Sequence, residues 1–187
     1  MPDTNSARWR LQSMFEAHGE KILLYFLRRT DRDSARDGAS DTFLVAWRRI
    51  DDIPPGRELP WLYGVARRVL SQQRRAHRRR MRLHRKLETV GPDDVPGPET
   101  VVLRNAECQE VVKALQRMRP DDQELLQLAI WDELSHSDIA EILRCSPHAV
   151  DQRVHRAIRR LARELRASGH IPSRETIETL DYEEEAS

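Results

Sequence analysis

Ten basic side chains fall between Gly64 and Lys86: Arg67, Arg68, Arg74, Arg75, Arg78, Arg79, Arg80, Arg82, Arg85 and Lys86, with no Asp or Glu among them. A solvated helix face ordinarily mixes signs to form i,i+4 pairs, so a run of one sign repels itself unless something anionic lies beside it. Arginine suits phosphate and base edges because its donors form a rigid planar fork. The segment from Ser173 to Ser187 has the opposite character, with six acids against the single Arg174. The formal net charge of +1 therefore conceals a sharp separation of sign. That separation points to a nucleic-acid binder with a neutralising tail.

A second set of polar residues reads as a surface for duplex DNA. Ser135 looks like the N-cap of a short helix over 138–143, and Arg144-Cys145-Ser146 form a turn. Ser146 then caps a longer helix opened by Pro147 and running to about Leu165. Short helix, tight turn and longer helix make a helix-turn-helix. Ala140 is small where the helices must approach, and Ile139, Leu143, Val150 and Val154 supply the apolar contacts. The outer side of the second helix offers His148, Asp151, Gln152, His155 and Arg156 to bases or phosphates, with Arg153, Arg159 and Arg160 near the backbone. The turn usually carries glycine at the position of Arg144. A left-handed conformation there costs a non-glycine residue ~1–2 kcal/mol. The same helix pair used for packing alone would be an ordinary αα-hairpin.

Other chemistries find little support. His136, Cys145 and His148 are close in sequence, but no C-x-x-C or H-x-x-x-H pair accompanies them, and no metal site is expected. No glycine-rich phosphate loop, nucleophile elbow or catalytic carboxylate pair is present, so neither a cofactor nor an enzymatic activity is expected. Cys108 and Cys145 cannot make a disulfide framework and read as thiols of a reducing compartment. No run approaches the ~20 apolar residues of a membrane span. The opening MPDTNSARWR lacks the features of a signal peptide. These observations predict a soluble, cytoplasmic protein without membrane insertion.

The elements that must position these residues read as helices throughout, because apolar residues recur at helical spacing with no sustained alternation. The 187 residues fit one ordinary domain or two small ones. Aromatic residues are only 5%, so the core must be largely Leu, Ile, Val and Ala. A first helix is expected over about Ala7–Arg29, with Leu11, Phe15, Ile22, Tyr25 and Phe26 inward. A second follows over Ser34–Ile50, with Ala35, Ala39, Phe43, Ala46 and Trp47 inward and Gly38 inside it at ~1 kcal/mol relative to Ala. Asp51 to Gly56 must be a loop, since Pro54, Pro55 and Gly56 cannot continue a helix. A third helix runs over Leu59–Leu87 and ends in the arginine run. Three prolines and two glycines within Gly91–Pro98 mark a linker. Helices over Val101–Met118 and Pro120–Trp131 precede the helix-turn-helix. The fold class is all-α, with two small helical domains over 7–87 and 101–168, a flexible Pro/Gly linker over 88–100 and an acidic tail over 169–187.

In this order and spacing, three stretches resemble an extracytoplasmic-function (ECF) sigma factor of the sigma-70 family, from about Trp9 to Arg166. Asp37 to Arg48 (DGASDTFLVAWR) is similar to the core-polymerase-binding helix of sigma region two. Leu59 to Leu70 (LPWLYGVARRVL) is similar to the promoter-melting helix. Leu134 to Leu161 is similar to region four. The resemblance implies that region two docks on core RNA polymerase and holds the non-template strand of the minus-ten element with one base flipped. It also implies that region four reads the minus-thirty-five element of promoter DNA in the major groove. Asp37, Ser40, Asp41 and Phe43 would then bind polymerase, and Trp61, Tyr63, Arg67, Arg68, Gln72 and Arg75 the melted strand. A positive groove with aromatic platforms is what such a strand requires, and stacking contributes ~1–3 kcal/mol per base. His148, Asp151, Gln152, Arg153, His155 and Arg156 would meet the minus-thirty-five duplex.

Departures from the family pattern bear on these sites. Family members commonly carry Asn at Arg68 and Asp or Asn at Gln72, which implies a changed base preference or a pocket built from other residues. Gly38 and Ser40 stand where Leu and Gln are usual. Asp151 replaces a common basic residue, and a carboxylate there can accept from cytosine N4. Family members are often inhibited by an anti-sigma factor wedged between the two domains, a partner expected here as well. The acidic tail is a second candidate inhibitor, shielding the Arg74–Lys86 run in cis. The competing reading is a helix-turn-helix regulator that binds operators without polymerase. An RNA-binding helical protein is disfavoured by the lack of an RNA module.

Overall fold

The structure is a computed structural model that describes residues 4–87 and 106–167. The expected linker and acidic tail, and the start of the helix expected from Val101, lie outside the described residues. Seven α-helices and no strand occur among the described residues. They belong to two compact units divided after Val101.

The first unit packs α1 (Thr4–Leu27), α2 (Arg32–Arg48) and α3 (Glu58–Leu87), with a single 3-10 turn (Ile50–Asp52) after α2. Helix α2 begins two residues before the expected Ser34 because Asp31 is its N-cap. The Asp31 carboxylate accepts from the Ser34 amide at 2.9 Å, filling one of the donors that a helix start leaves unpaired. Acceptance from that amide, and then from the Ser34 side chain, holds the Asp31 carboxyl below its ordinary range.

Gly38 is explained by the approach of α1. A Cβ at this position would lie 2.4 Å from the Phe26 ring, so the Phe26 side chain fills the place where a larger residue would point. One turn on, the buried Thr42 hydroxyl donates to the Gly38 carbonyl at 2.8 Å and so needs no partner from outside the helix. Ile22, Tyr25, Phe26, Leu62, Tyr63 and Ala66 fill the centre of this unit. Arg10 ties α1 to the proline-containing loop by donating to the Ile50 carbonyl at 2.8 Å and to that of Ile53.

Two residues expected inside are partly at the surface. Phe15 is 59% exposed and Trp47 39%. Met14, Ile22, Tyr25 and Phe26 set the buried face of α1, which turns Phe15 to its margin, in edge contact with Phe43 at 5.0 Å. On α2 the buried face is Ala35, Gly38, Thr42 and Ala46, and Trp47 is one step around the helix from it.

The second unit contains α4 (Ala106–Arg117), α5 (Pro120–Leu126), α6 (His136–Leu143) and α7 (Pro147–Ala167). The expected helix from Pro120 to Trp131 changes pitch. Residues Gln127–Trp131 form a π-helical turn, closed by the Asp132 amide donating to the Gln127 carbonyl at 2.9 Å. The core joins Ala114, Leu115 and Met118 to Leu126 and to Ala157, Leu161 and Leu165 of α7, with Trp131 and Ile158 packed against it.

Candidate nucleic-acid interface and partner face

The helix-turn-helix is built from its caps inward. Ser135 accepts from the Asp138 amide at 3.2 Å, and Ser146 accepts from the Ala149 amide at 3.2 Å. Between them Arg144 stands at φ 55°, ψ 50°, in the left-handed conformation expected of this turn. The next amide, of Cys145, donates to the Ala140 carbonyl at 3.0 Å and closes α6. Ile139, Ala140, Val150 and Val154 are buried, so the two helices share a dry contact.

On the outer side of α7, His148, Gln152, His155 and Arg156 are exposed, while Asp151 and Arg153 are half-buried. Most of these groups already have partners. His148 and Gln152 are hydrogen-bonded at 2.9 Å, and the Arg156 Nε donates to the Gln152 carbonyl at 3.0 Å. One Asp151 oxygen lies 3.6 Å from His136 Nδ1 and 3.6 Å from His155 Nε2. His136, from the first turn of α6, therefore joins the surface carried by α7. In the sequence it stood beside the cap Ser135 and near Cys145 and His148, with nothing that pointed to Asp151. Arg160, expected to reach DNA phosphate, is held by Asp122 at 2.5 Å. Among the described residues no group of His, Cys, Asp and Glu is arranged to hold a metal ion.

On α3, Trp61 is half-buried and Arg67, Arg68, Gln72 and Arg75 are exposed. Trp61, Arg68, Gln72 and Arg75 follow helical spacing along one side of α3. Gly64 lies in the same row, and a Cβ there would meet nothing within 4 Å, which leaves an open notch between Trp61 and Arg68. The Arg49 guanidinium lies 6.0 Å from the centre of the Trp61 ring. Tyr63 corrects the expectation of two stacking platforms: it is 1% exposed and packs edge-on to Tyr25 with centroids 5.5 Å apart. Its ring belongs to the core, whereas the Trp61 ring is half-buried and keeps an accessible edge.

Helix α2 gives the other correction. Asp37, Ser40 and Asp41 are exposed, but Phe43 is 8% exposed and packs against Phe15. The apolar residues that do face outward beside the acids are Leu44, 46% exposed, and Trp47. Asp37, Asp41 and Leu44 stand at i, i+4 and i+7, a spacing that by itself marks one helix face. Phe43, one turn before Trp47, falls at the margin where this face meets the buried side of α2.

One unit is a three-helix body with an arginine-rich helix, and the other carries a helix-turn-helix of the class found in DNA-binding proteins. The model of Sigma-70 region 2 matches residues 14–80, and that of Sigma-70, region 4 matches residues 108–161. The chain is 30% identical over 136 residues to RNA polymerase sigma factor NccH of Alcaligenes xylosoxydans xylosoxydans, covering 71% of this chain and 73% of that one. It is 28% identical over 145 residues to ECF RNA polymerase sigma factor EcfG of Rhodopseudomonas palustris, covering 73% of this chain and 74% of that one. The fold is similar to that of the sigma factor RpoE of Bartonella quintana, solved with the anti-sigma factor NepR. The TM-score is 0.59 at 23% identity, over 85% of this chain and 96% of that one.

The chain belongs to the sigma-70 family of RNA polymerase sigma factors, in its ECF group. It therefore works with core RNA polymerase in promoter-specific initiation, and a regulator acting apart from polymerase is not favoured.

Proposed function

We propose that the outward face of α2, with Asp37, Ser40, Asp41, Leu44 and Trp47, is the surface that docks on core polymerase. The observation that carries this reading is the exposure of Leu44 and Trp47 among acids on a helix whose opposite side is buried. Large apolar side chains grouped at a surface mark interaction sites. Phe43 serves the same surface from within, by fixing α2 against α1.

Trp61, Arg67, Arg68, Gln72 and Arg75 then hold the non-template strand of the minus-ten element, with the notch at Gly64 admitting a base edge or a flipped base. Tyr63 positions α3 through Tyr25 and does not touch DNA. The outer side of α7 reads the minus-thirty-five duplex. There Asp151 accepts from cytosine N4, and Arg153 and Arg156 contact phosphate or guanine. The two domains correspond to residues 7–87 and 101–168, joined by the linker over 88–100.

The protein is not an enzyme in its own right on this reading, and it acts in the cytoplasm. No described helix is long and apolar enough to cross a membrane. The anti-sigma factor bound to the RpoE relative supports a similar inhibitor for this chain.

Run-off transcription with core polymerase on fragmented genomic DNA tests the assignment. New transcripts that depend on this protein are expected, and their start sites reveal both promoter elements. Absence of new transcripts together with tight duplex binding by the protein alone would overturn it.

A further inference from the structure

The C-terminal half of α7 carries more positive charge than reading a promoter element requires. From Arg153 to Arg166 the helix holds six arginines and one acid, Glu164. Five of them (Arg156, Arg159, Arg160, Arg163 and Arg166) line a shallow hollow of about 610 Å³. A neighbouring hollow of about 400 Å³ shares Arg160 and Arg163 and adds Arg117 and Arg119, beside the acids Asp122 and Glu164. Asp122 engages Arg160, and Arg156 bonds the Gln152 carbonyl through Nε. Arg159, Arg163 and Arg166 make no ion pair with a carboxylate among the described residues.

We propose that the acidic segment Ser173–Ser187 of this chain lies along this arginine face in cis. Charge and length both support that occupant. The segment carries six acids and one arginine, a net side-chain charge of 1 − 6 = −5. It follows α7 after only five residues, Ser168 to Pro172, of which Gly169 and Pro172 favour a reversal of the chain. Arg156 to Arg166 spans about 15 Å along the helix at 1.5 Å per residue. Glu175 to Glu185 covers about 15 Å if helical and about 33 Å if extended, so the segment is long enough to return over the whole face. A tether this short gives an effective concentration of about millimolar, which sustains contacts too weak to hold between separate molecules. The Arg74–Lys86 run, the target expected from sequence, belongs to the other unit, whereas the α7 face ends at Arg166, seven residues before Ser173.

The consequence is selectivity. The groups proposed to read the duplex lie from His148 to Arg156, at the N-terminal half of α7, and of these the segment reaches only Arg156, at the edge of the arginine face. It occupies arginines that would otherwise bind phosphate of any sequence, and so lowers non-specific affinity. This inference does not depend on contact with polymerase and is tested without it.

The test measures binding of a random-sequence duplex across a salt series. Four proteins are compared: the full chain, a chain ending at His170, and each of these with Arg159→Gln, Arg163→Gln and Arg166→Gln combined. Three freed phosphate contacts should steepen the salt slope of the shortened chain by about 2.7 and raise its low-salt affinity roughly tenfold or more. The three substitutions should change the full chain little and abolish the gain in the shortened one. A full-length variant with Glu183→Gln, Glu184→Gln and Glu185→Gln should reproduce part of the gain. Circular dichroism establishes that each variant keeps its helices. An unchanged slope on shortening, or a gain that survives the arginine substitutions, overturns the proposal; the latter result would move the target to another basic surface.

Discussion

The two units solve the same problem, holding a functional helix at the surface, and leave different residues outside. All four large apolar side chains exposed among the described residues, Trp9, Phe15, Leu44 and Trp47, are in the first unit. The second unit exposes charge and amide groups instead, and its apolar residues are consumed in its own core. Apolar exposure carries a cost in water that a partner's surface recovers, whereas hydrated arginines carry none until they meet phosphate. The first unit therefore offers apolar surface of the kind a protein partner covers, and the second offers charged and amide groups of the kind duplex DNA meets.

The sharpest way to break this contrast is to charge the apolar face. Leu44→Glu with Trp47→Glu should lower core-polymerase affinity by ~30-fold or more, the scale of losing a hot spot worth ~2–4 kcal/mol. Thermal stability should remain within about 1 kcal/mol of the parent, because both side chains are already exposed. Pull-down with core polymerase and thermal unfolding read the two quantities. Retained polymerase binding would place the partner surface elsewhere.

Gly38→Ala probes the packing behind that face. The added Cβ meets the Phe26 ring, which is fully buried and cannot swing away, so overpacking should cost ~1–3 kcal/mol. Improved helix propensity returns about 1 kcal/mol of this. Amide exchange should show loss of protection in α1 and α2, with α6 and α7 unchanged. Stabilisation would mean that Phe26 has room to move.

In the second unit Asp151→Asn should change preference at a single base pair of the minus-thirty-five element, by ~1–3 kcal/mol, with little effect on other positions. Binding to a panel of single-base variants measures it. A uniform rise in affinity across the panel would show instead that Asp151 acts only by repelling phosphate.

These positions also show what the sequence made legible. Caps and turn residues act locally, so Ser135, Pro147 and the strained Arg144 identified the helix-turn-helix without tertiary information, and the structure agrees at each. The arginine run was legible for the same reason. Inward and outward assignments on α1 and α2 were less so. Phe15, Phe43 and Trp47 are all large aromatics near the margin of an apolar stripe, where a rotation of a few tens of degrees decides between core and surface. Only packing fixes that rotation, and Gly38 against Phe26 is the contact that does so. The π-helical turn at Gln127–Trp131 left no sequence signal, since its residues are ordinary helix formers.

Asp31→Ala should cost about 1 kcal/mol, as typical for loss of an N-cap, and confine that loss to the first unit. The Asp31 carboxyl is held below its ordinary range, so its contribution is complete above that range and disappears as pH falls through the lowered value. The parent and the variant should therefore converge in stability in acid. A gap that persists at low pH would show that the neutral carboxyl caps α2 as well as the carboxylate does.

The smallest expected effect runs the opposite way and belongs to the second unit. Arg144 holds φ 55° and is exposed, and its amide bonds the carbonyls of Ala140 and Glu141. Glycine would keep those backbone bonds and remove the ~1–2 kcal/mol cost of a left-handed L-residue, but would give the unfolded chain more freedom to lose, about 0.5–1 kcal/mol. Arg144→Gly should thus stabilise the second unit by roughly 0.5–1 kcal/mol, visible as a rise of a few degrees in its unfolding midpoint. Duplex affinity should hardly change, because α7 is fixed to α6 by Ile139 and Val150 rather than by this side chain. If affinity falls while stability rises, the Arg144 guanidinium contacts DNA, and the strained turn is retained for binding at the expense of fold.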